Sequence, residues 1–362
     1  MHYLCTIMEW LLGKDLDALS QIALALGMPR YTGKQLSEWL YKKRIKTIEE
    51  MTNLSKAARE TLNARYEVGG FLPKMVQRSA DGTQKYLFPT KDGFSIESVM
   101  IPDEERATLC VSSQAGCRMG CRFCMTAQQG FQAHLTAGEI ISQFHNIQES
   151  DSLTNAVYMG MGEPMDNLDE VLKSVRILTA EWGRGWSPRR ITVSTIGLLP
   201  QVKRFIEESE CHLAVSLHHP FDTERQALIP MQKASPLAEI IKLIRQYDFS
   251  GQRRVSFEYI LFKGVNDQPI HAAALSRMLK GLVCRVNLIR FHAIPECSLR
   301  PSSDQTIDLF QKKLMGAGVI TTLRASRGED ILAACGLLST RAACKTCRAD
   351  TNEKNFVHHG GR

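Results

Sequence analysis

The stretch Ala107-Thr-Leu-Cys110-Val-Ser-Ser-Gln-Ala-Gly-Cys117-Arg-Met-Gly-Cys121-Arg-Phe-Cys124-Met-Thr126 decides the reading of this chain. It opens as an apolar run of strand character and breaks into a loop carrying three cysteines, spaced by three residues and then two. A compact loop can fold three such thiolates onto three irons of a [4Fe–4S] cube, leaving the fourth iron open to a substrate. Gly116 and Gly120 relieve the steric limits on a loop that must curl this tightly. The alternative is a structural zinc site, which normally closes with four ligands in two pairs. Cys344 and Cys347 in the tail could contribute to such a site, but the three-then-two spacing is specific where a lone C-x-x-C is not.

Outward from this loop the pattern becomes strand, loop and helix in repetition. Candidate strands are Ala107–Ser112, Asn155–Gly160, Arg190–Ser194, His212–Ser216, Val255–Leu261, Arg285–Phe291 and Val319–Leu323. Helical periodicity lies between most of them, over Thr136–Gln148, Leu168–Leu178, Leu237–Tyr247, Ile270–Leu279 and Asp304–Met315. Such alternation predicts an α/β fold with a parallel sheet and helices outside. The strands are too few for a closed eight-stranded barrel, so a partial, open parallel β/α barrel is expected over residues 107–340. In that architecture chemistry gathers at the carboxyl ends of the strands.

On the amino-terminal side, residues 1–75 read as a small all-helical domain with surface lysines and arginines. Its helices are Asp15 to Leu26, Thr32 to Lys43 and Ser55 to Arg65. Residues 76–106 read as a β-hairpin and linker, with strands Gln84–Pro89 and Phe94–Pro102 around a turn at Lys91-Asp92-Gly93. Residues 341–362 are expected to form a polar, disordered tail.

Composition bounds the compartment. Of 362 residues, 44% are hydrophobic and 23% charged, ordinary for a globular protein, and no apolar run is long enough to span a bilayer. The start lacks a basic segment and a cleavage site, so no signal peptide is expected, and a cytoplasmic protein with no membrane partner is. Eleven cysteines, an odd number, in a long chain argue against a disulfide framework and for metal binding or thiol chemistry. The net charge of +7 permits a polyanionic partner without demanding one.

C-x-x-x-C-x-x-C after the first strand of a partial barrel resembles the radical S-adenosylmethionine (SAM) superfamily. The resemblance narrows with Cys117-Arg-Met-Gly-Cys121-Arg-Phe-Cys124-Met-Thr-Ala-Gln-Gln-Gly-Phe131, Met159-Gly-Met-Gly-Glu-Pro164, Ile191-Thr-Val-Ser-Thr195, Ser216-Leu-His218 and Ile331-Leu-Ala-Ala-Cys335-Gly. Together these resemble the RNA adenine-C2 methyltransferases, from the helical domain to about residue 340.

The resemblance implies one [4Fe–4S] cluster on Cys117, Cys121 and Cys124 and two molecules of SAM per turnover, one donating a methyl group and one supplying a radical. It makes Cys335 the S-methylcysteine carrier and Cys110 the resolving thiol, in a transient disulfide with Cys335 after a protein–RNA crosslink. Glu97 is then the proton acceptor at C2. Gly162, Glu163, Ser194, Ser216, Leu217, His218 and His292 are expected to contact SAM. At His292 the family commonly has Asn, and both side chains can hydrogen-bond. The implied substrates are an adenosine in 23S rRNA at the peptidyl-transferase centre and one beside the anticodon of tRNA. Flavodoxin with its reductase is the implied electron donor, and nothing demands more than a monomer.

Each residue also has a plainer reading. Cys335 sits among small residues that could simply pack, Cys110 reads as core on its own, and Glu97 could face water. A lone His218 is more often an ordinary polar residue. The helical domain reads as an RNA-docking module. Arg184, Arg189 and Arg190, with Trp182 and Trp186, suit phosphate contacts and base stacking, or a solvated loop. Arg324 and Arg327 precede Cys335 and could guide RNA to it. The nearest alternative is the sister family that methylates adenine C8 in 23S rRNA. Further alternatives are a radical activating enzyme acting on a protein and a zinc-stabilised RNA-binding protein.

Overall fold

The computed structural model describes residues 8–230, 236–249, 251 and 253–340. The expected tail and the pair Cys344 and Cys347 lie outside the described residues.

The amino-terminal module opens with β1 (Glu9–Trp10), followed by α1 (Leu16–Ala25), α2 (Thr32–Ser37) and α3 (Lys56–Asn63), and closes with β2 (Tyr66–Glu67). Asp15 caps α1, its carboxylate accepting from Ala18 N at 2.9 Å. The expected helix through Lys43 changes character: after Ser37 it widens into a π-turn over Glu38–Lys43. That segment buries Leu40 and Tyr41, and the Tyr41 hydroxyl donates to Lys14 O at 2.6 Å. The module is also not purely helical. β1 and β2 pair in parallel, and Leu11 N donates to Glu67 O at 2.9 Å, so the two ends of the module are zipped by main-chain bonds that side-chain periodicity does not reveal.

Next come β3 (Met75–Arg78), β4 (Gln84–Pro89), β5 (Ser95–Asp103) and β6 (Arg106–Cys110). β3 has no alternating burial and so no readable side-chain pattern; its pairing with β4 rests on the backbone. The expected hairpin is therefore part of a larger antiparallel unit that runs directly into the barrel, since β5 pairs with β6. Two short strands, β7 (Gln114–Ala115) and β8 (Ala133–His134), bracket the cysteine loop and α4 (Met125–Gln129).

The alternation follows as the sequence predicts: α5 (Ala137–His145), β9 (Asn155–Tyr158), α6 (Leu168–Thr179), β10 (Ile191–Thr195), α7 (Leu199–Glu208), β11 (His212–Ser216), α8 (Asp222–Leu228), α9 (Leu237–Ile244), β12 (Val255–Leu261), α10 (Pro269–Leu279), β13 (Arg285–Arg290), α11 (Asp304–Gly316) and β14 (Ile320–Leu323). The ten-stranded sheet runs β14-β13-β12-β11-β10-β9-β6-β5-β4-β3. From β6 through β14 every neighbouring pair is parallel, and the two ends do not meet. This is the expected open barrel. Its strands bury both faces, as parallel strands covered by helices do; all seven residues of β12 are buried. Side chains of the amino-terminal module, including Leu19, Leu36 and Tyr41, share one core with Ile140, Ile141 and Phe144 of α5. Among the described residues, no helix is long and apolar enough to cross a membrane.

Candidate active site

At the carboxyl ends of the strands one cavity collects side chains from widely separated parts of the chain. Its wall includes Cys117, Cys121 and Cys124 from the loop after β6, Gly162 and Glu163 after β9, and Ser194 and Ile196 from and after β10. Ser216 and His218 contribute from and just after β11, Glu258 and Ile260 from β12, Arg324 after β14, and Cys335 and Gly336 from the last described segment.

Local chemistry explains how the cysteine loop curls. Gly116 has φ +71° and a Cβ there would stand 1.7 Å from Gly130 O, so only glycine allows Cys117 N to donate to that carbonyl at 3.1 Å. Gly162, at φ +98°, lies against Gln114, where a Cβ would approach to 2.5 Å. Phe123, between two of the cysteines, stacks edge-on against His218 at 4.9 Å and packs on Phe262 at 5.5 Å, fixing the loop to the strand ends.

The donor set fits an iron–sulfur cluster. Burial pushes the Cys117 thiol up to about 12 and Cys121 well above its usual value, so ionising them requires the positive charge of bound metal. Arg225 supplies a second observation. It is fully buried, donating to Leu217 O at 2.8 Å, Ser216 O at 2.6 Å and Ile196 O at 2.9 Å, while its Nη1 has no partner. Its positive charge lies near enough to Cys121 for the two to act on one another. Among the described residues, no three His, Cys, Asp or Glu side chains converge on a position for a single metal ion, whereas three thiolates on three different irons of a cube need not converge on one ion.

Glu163 is 4% exposed and accepts from Met165 N at 3.1 Å and Ile196 N at 3.0 Å. Burial nevertheless raises its carboxyl to about 7. His218 adopts φ +53°, a conformation few non-glycine residues hold, and its Nδ1 accepts from Ile260 N at 3.0 Å. Burial lowers that imidazole to about 3, so it is neutral.

Cys335 has accessible surface because it faces this cavity, while its surroundings otherwise enclose it; burial raises its thiol and the Arg324 guanidinium opposes that. Cys110, 8% exposed at the end of β6, lies close enough for the two thiols to act on one another. Cys110 itself is pushed up to about 12.

Glu97 is 3% exposed and lies outside the cavity wall. Its Oε1 is 3.1 Å from Lys85 Nζ, and its Oε2 accepts from Ser339 N at 2.9 Å. Burial raises its carboxyl, with Lys85 opposing. The leucine of the Ser216-Leu-His218 stretch is buried core, contributing Leu217 O to Arg225 rather than a side chain to the cavity. His292 turns to Ser326 Oγ at 3.0 Å and Glu329 at 3.6 Å, away from the lining.

The basic and aromatic loop corrects a sequence expectation. Trp186 is buried against Phe144 and offers no free stacking face, and the half-buried Trp182 packs on Tyr41. Arg184 folds back over Trp186 and donates to Ser150 O. Arg189 and Arg190 stay exposed.

Sequence reasoning missed Glu258, Asn287, Lys85 and Arg225. Glu258 joins Asn287 Nδ2 at 2.8 Å, Ser256 Oγ at 3.0 Å and Arg324 at 3.2 Å in the middle of the barrel. Its Oε2 lies 3.2 Å from the same guanidinium but accepts no hydrogen bond. The signal was an acidic residue inside the apolar run of β12; Arg225 left no signal.

The sequence matches the Radical SAM superfamily over residues 111–275 and the Ribosomal RNA large subunit methyltransferase N-terminal domain over residues 10–68. It is 57% identical over 330 residues to the "Probable dual-specificity RNA methyltransferase RlmN" of Parabacteroides distasonis, covering 91% of this chain and 96% of the relative. The chain belongs to the RlmN family. A more distant RlmN, from Syntrophus aciditrophicus, is 43% identical over 334 residues, covering 91% of this chain and 95% of that one. A crystal structure of a radical SAM methyltransferase from Sphaerobacter thermophilus superposes with a TM-score of 0.86 at 40% identity, covering 92% of this chain and all of that one. Membership in the RlmN family brings a [4Fe–4S] cluster and SAM as cofactors, which the thiols and Glu163 of this cavity fit.

Proposed function

We propose that this chain methylates C2 of adenosine in 23S rRNA and in tRNA, with Cys335 as carrier of the methyl group. The observation that carries the reading is that Cys335 shares one cavity with Cys117, Cys121 and Cys124, with Cys110 near enough for the two thiols to act on one another. Bound at Cys117, Cys121 and Cys124, the cluster with SAM supplies both a methyl group and one-electron chemistry that an electron-poor adenine C2 requires.

The chain's own residues hold and orient. Glu163, as a carboxylate, pairs with the cofactor's ammonium beside Gly162; Ser194, Ser216 and His218 offer polar contacts around it. Arg324 favours the thiolate of Cys335 and of Cys110, the forms able to accept a methyl group and to resolve a crosslink through a disulfide. Glu97 is the proposed proton acceptor. Its carboxylate is held by Lys85 and Ser339 N, so reaching the adenine requires the segment around Ser339 to shift when RNA binds.

The module at residues 1–75 is proposed to dock RNA, residues 76–106 to carry the base, and residues 107–340 to form the catalytic barrel. A monomer in the cytoplasm, reduced by a flavodoxin-type donor, completes the reading. Nucleoside mass spectrometry of tRNA and 23S rRNA incubated with the loaded enzyme tests it. Formation of 2-methyladenosine is expected; 8-methyladenosine would move the chain to the sister activity, and no methylated adenosine would remove the reading.

A further inference from the structure

A second chamber, about 310 Å³ in volume, lies at the amino ends of the same strands. Strand register builds its wall. Thr108 stands beside Asn155 across β6 and β9, Thr192 beside His212 across β10 and β11, and Ser256 beside Arg285 across β12 and β13. All six line the chamber and form one polar layer of the barrel interior. That interior is ordinarily filled by branched apolar side chains. Here the layer is polar and hollow. Above it the hydrogen bonds among Ser256, Glu258, Asn287 and Arg324 fill the barrel and divide this chamber from the cavity holding Cys335.

Six arginines line this chamber and no Asp or Glu does. Arg106 pairs with Asp103 at 2.7 Å and Arg324 with Glu258 at 3.2 Å. Among the described residues, Arg189, Arg190, Arg254 and Arg285 have no carboxylate partner; the first three are exposed and Arg285 is half-buried. Burial, and then Arg254, Arg285, Arg253 and Arg189, lower the His212 imidazole to about 4, so these cations gather near one neutral ring. Arg253 spends its donors on the carbonyls of Cys211, Ile206 and Phe205, which leaves the others for a ligand. Like charges around one concavity repel one another and focus a positive potential into it. Their planar forks match phosphate oxygens in pairs, and Thr108 and Thr192 add hydroxyl donors.

We propose that this chamber binds a small anion carrying a diphosphate, at a site separate from the one where methyl transfer takes place. Four free cations exceed the charge of one phosphate monoester, about −1.5 to −2 at neutral pH, and match that of two linked phosphates. The filled layer above gives no route to Cys335, so an RNA engaged for methylation presents its adenosine at the opposite mouth. The ligand here is therefore a second molecule and not part of the substrate. The inference uses only the amino ends of the strands and stands independently of the RNA methyltransferase reading.

The test titrates the cluster-loaded enzyme with pyrophosphate, and separately with ADP, by calorimetry at constant ionic strength, with iron content checked before and after. One saturable site is expected for pyrophosphate, weakening as salt screens the charges. ADP binding equally well would place the diphosphate on a nucleoside, and ADP binding far more weakly would mark a free one. Arg254→Ala/Arg285→Ala should bind pyrophosphate at least about tenfold more weakly, since each lost guanidinium removes charged hydrogen bonds. The same pair should bind a transcribed tRNA as tightly as the unaltered enzyme does. Should it fail to fold, Arg189→Ala/Arg190→Ala, whose side chains stand in solvent, carries the same expectation for pyrophosphate. Absence of a saturable site, or a site unchanged in the folded variants, would overturn the proposal. So would a parallel loss of tRNA affinity in Arg254→Ala/Arg285→Ala, which would give these arginines to the RNA backbone instead.

Discussion

The two ends of this barrel are built on the same strands and differ in almost every chemical respect. Along β12 the inward row passes from Ser256 through Glu258 to Ile260, and along β13 from Asn287 to Ile289. The carboxyl end joins apolar walls, Met119, Phe123, Ile196 and Ile289, to thiols and two buried carboxylates, Glu163 and Glu258. The amino end offers arginines and small hydroxyl or amide side chains. An apolar chamber raises the cost of every unpaired charge, which is why Glu163 and the cysteines are shifted so far. A cationic chamber open to solvent does the opposite and gathers anions. The fold thus separates the place where charge is excluded from the place where it is collected, with the Glu258–Arg324 pair between them.

The largest expected effect breaks the carboxyl end outright. Cys121→Ala should lose the iron and with it all methyl transfer, whereas Cys335→Ala should keep the iron and the cluster's absorbance yet lose methylation to background. Iron analysis alongside RNA methylation separates the two. If Cys335→Ala retained activity, the carrier role would be gone.

Glu163 sharpens the contrast on the cofactor side. Glu163→Gln should weaken SAM binding by about thirtyfold or more, the cost of about 2 kcal/mol upward for removing one partner of a buried charge pair. The pH dependence follows from a carboxyl raised to about 7: below that pH it is neutral and offers the ammonium no charge, so affinity should rise as pH passes upward through about 7. Calorimetric titration from pH 6 to 8 checks this, and a flat profile, or one falling with pH, would remove Glu163 from the ammonium site.

A smaller effect concerns how the carrier segment is held. Lys85 bonds Glu97 and Leu332 O, and Asp330 takes Ser79 Oγ at 2.6 Å, so the antiparallel strands grip the segment bearing Cys335. Lys85→Met leaves a buried carboxylate without its cation and should cost about 3–5 kcal/mol in urea unfolding. Asp330→Asn, at an exposed site, should cost less than about 1 kcal/mol. Equal losses in the two variants would show that burial does not govern this grip.

These contrasts also explain what the sequence made legible. The cysteine loop was readable because its chemistry is local, three thiols on one turn of chain. The strands β11 and β12 were readable to the residue because apolar runs bounded by polar ones mark buried parallel strands. The group of arginines at the amino ends of the strands was not, because Arg254 and Arg285 are single residues just before β12 and at the start of β13, far apart in sequence. Trp186 was misread for a related reason: an aromatic beside arginines has the same letters whether it faces RNA or packs on Phe144. Arg225 was silent because its partners are backbone carbonyls, which no side-chain pattern encodes.

The most direct test of the account is peptide mass spectrometry of the anaerobically purified, cluster-loaded enzyme after incubation with SAM and no RNA. A single methyl group on Cys335, absent in Cys335→Ala, is the predicted result. An unmodified Cys335 in an enzyme whose cluster is intact and cleaves SAM would contradict it.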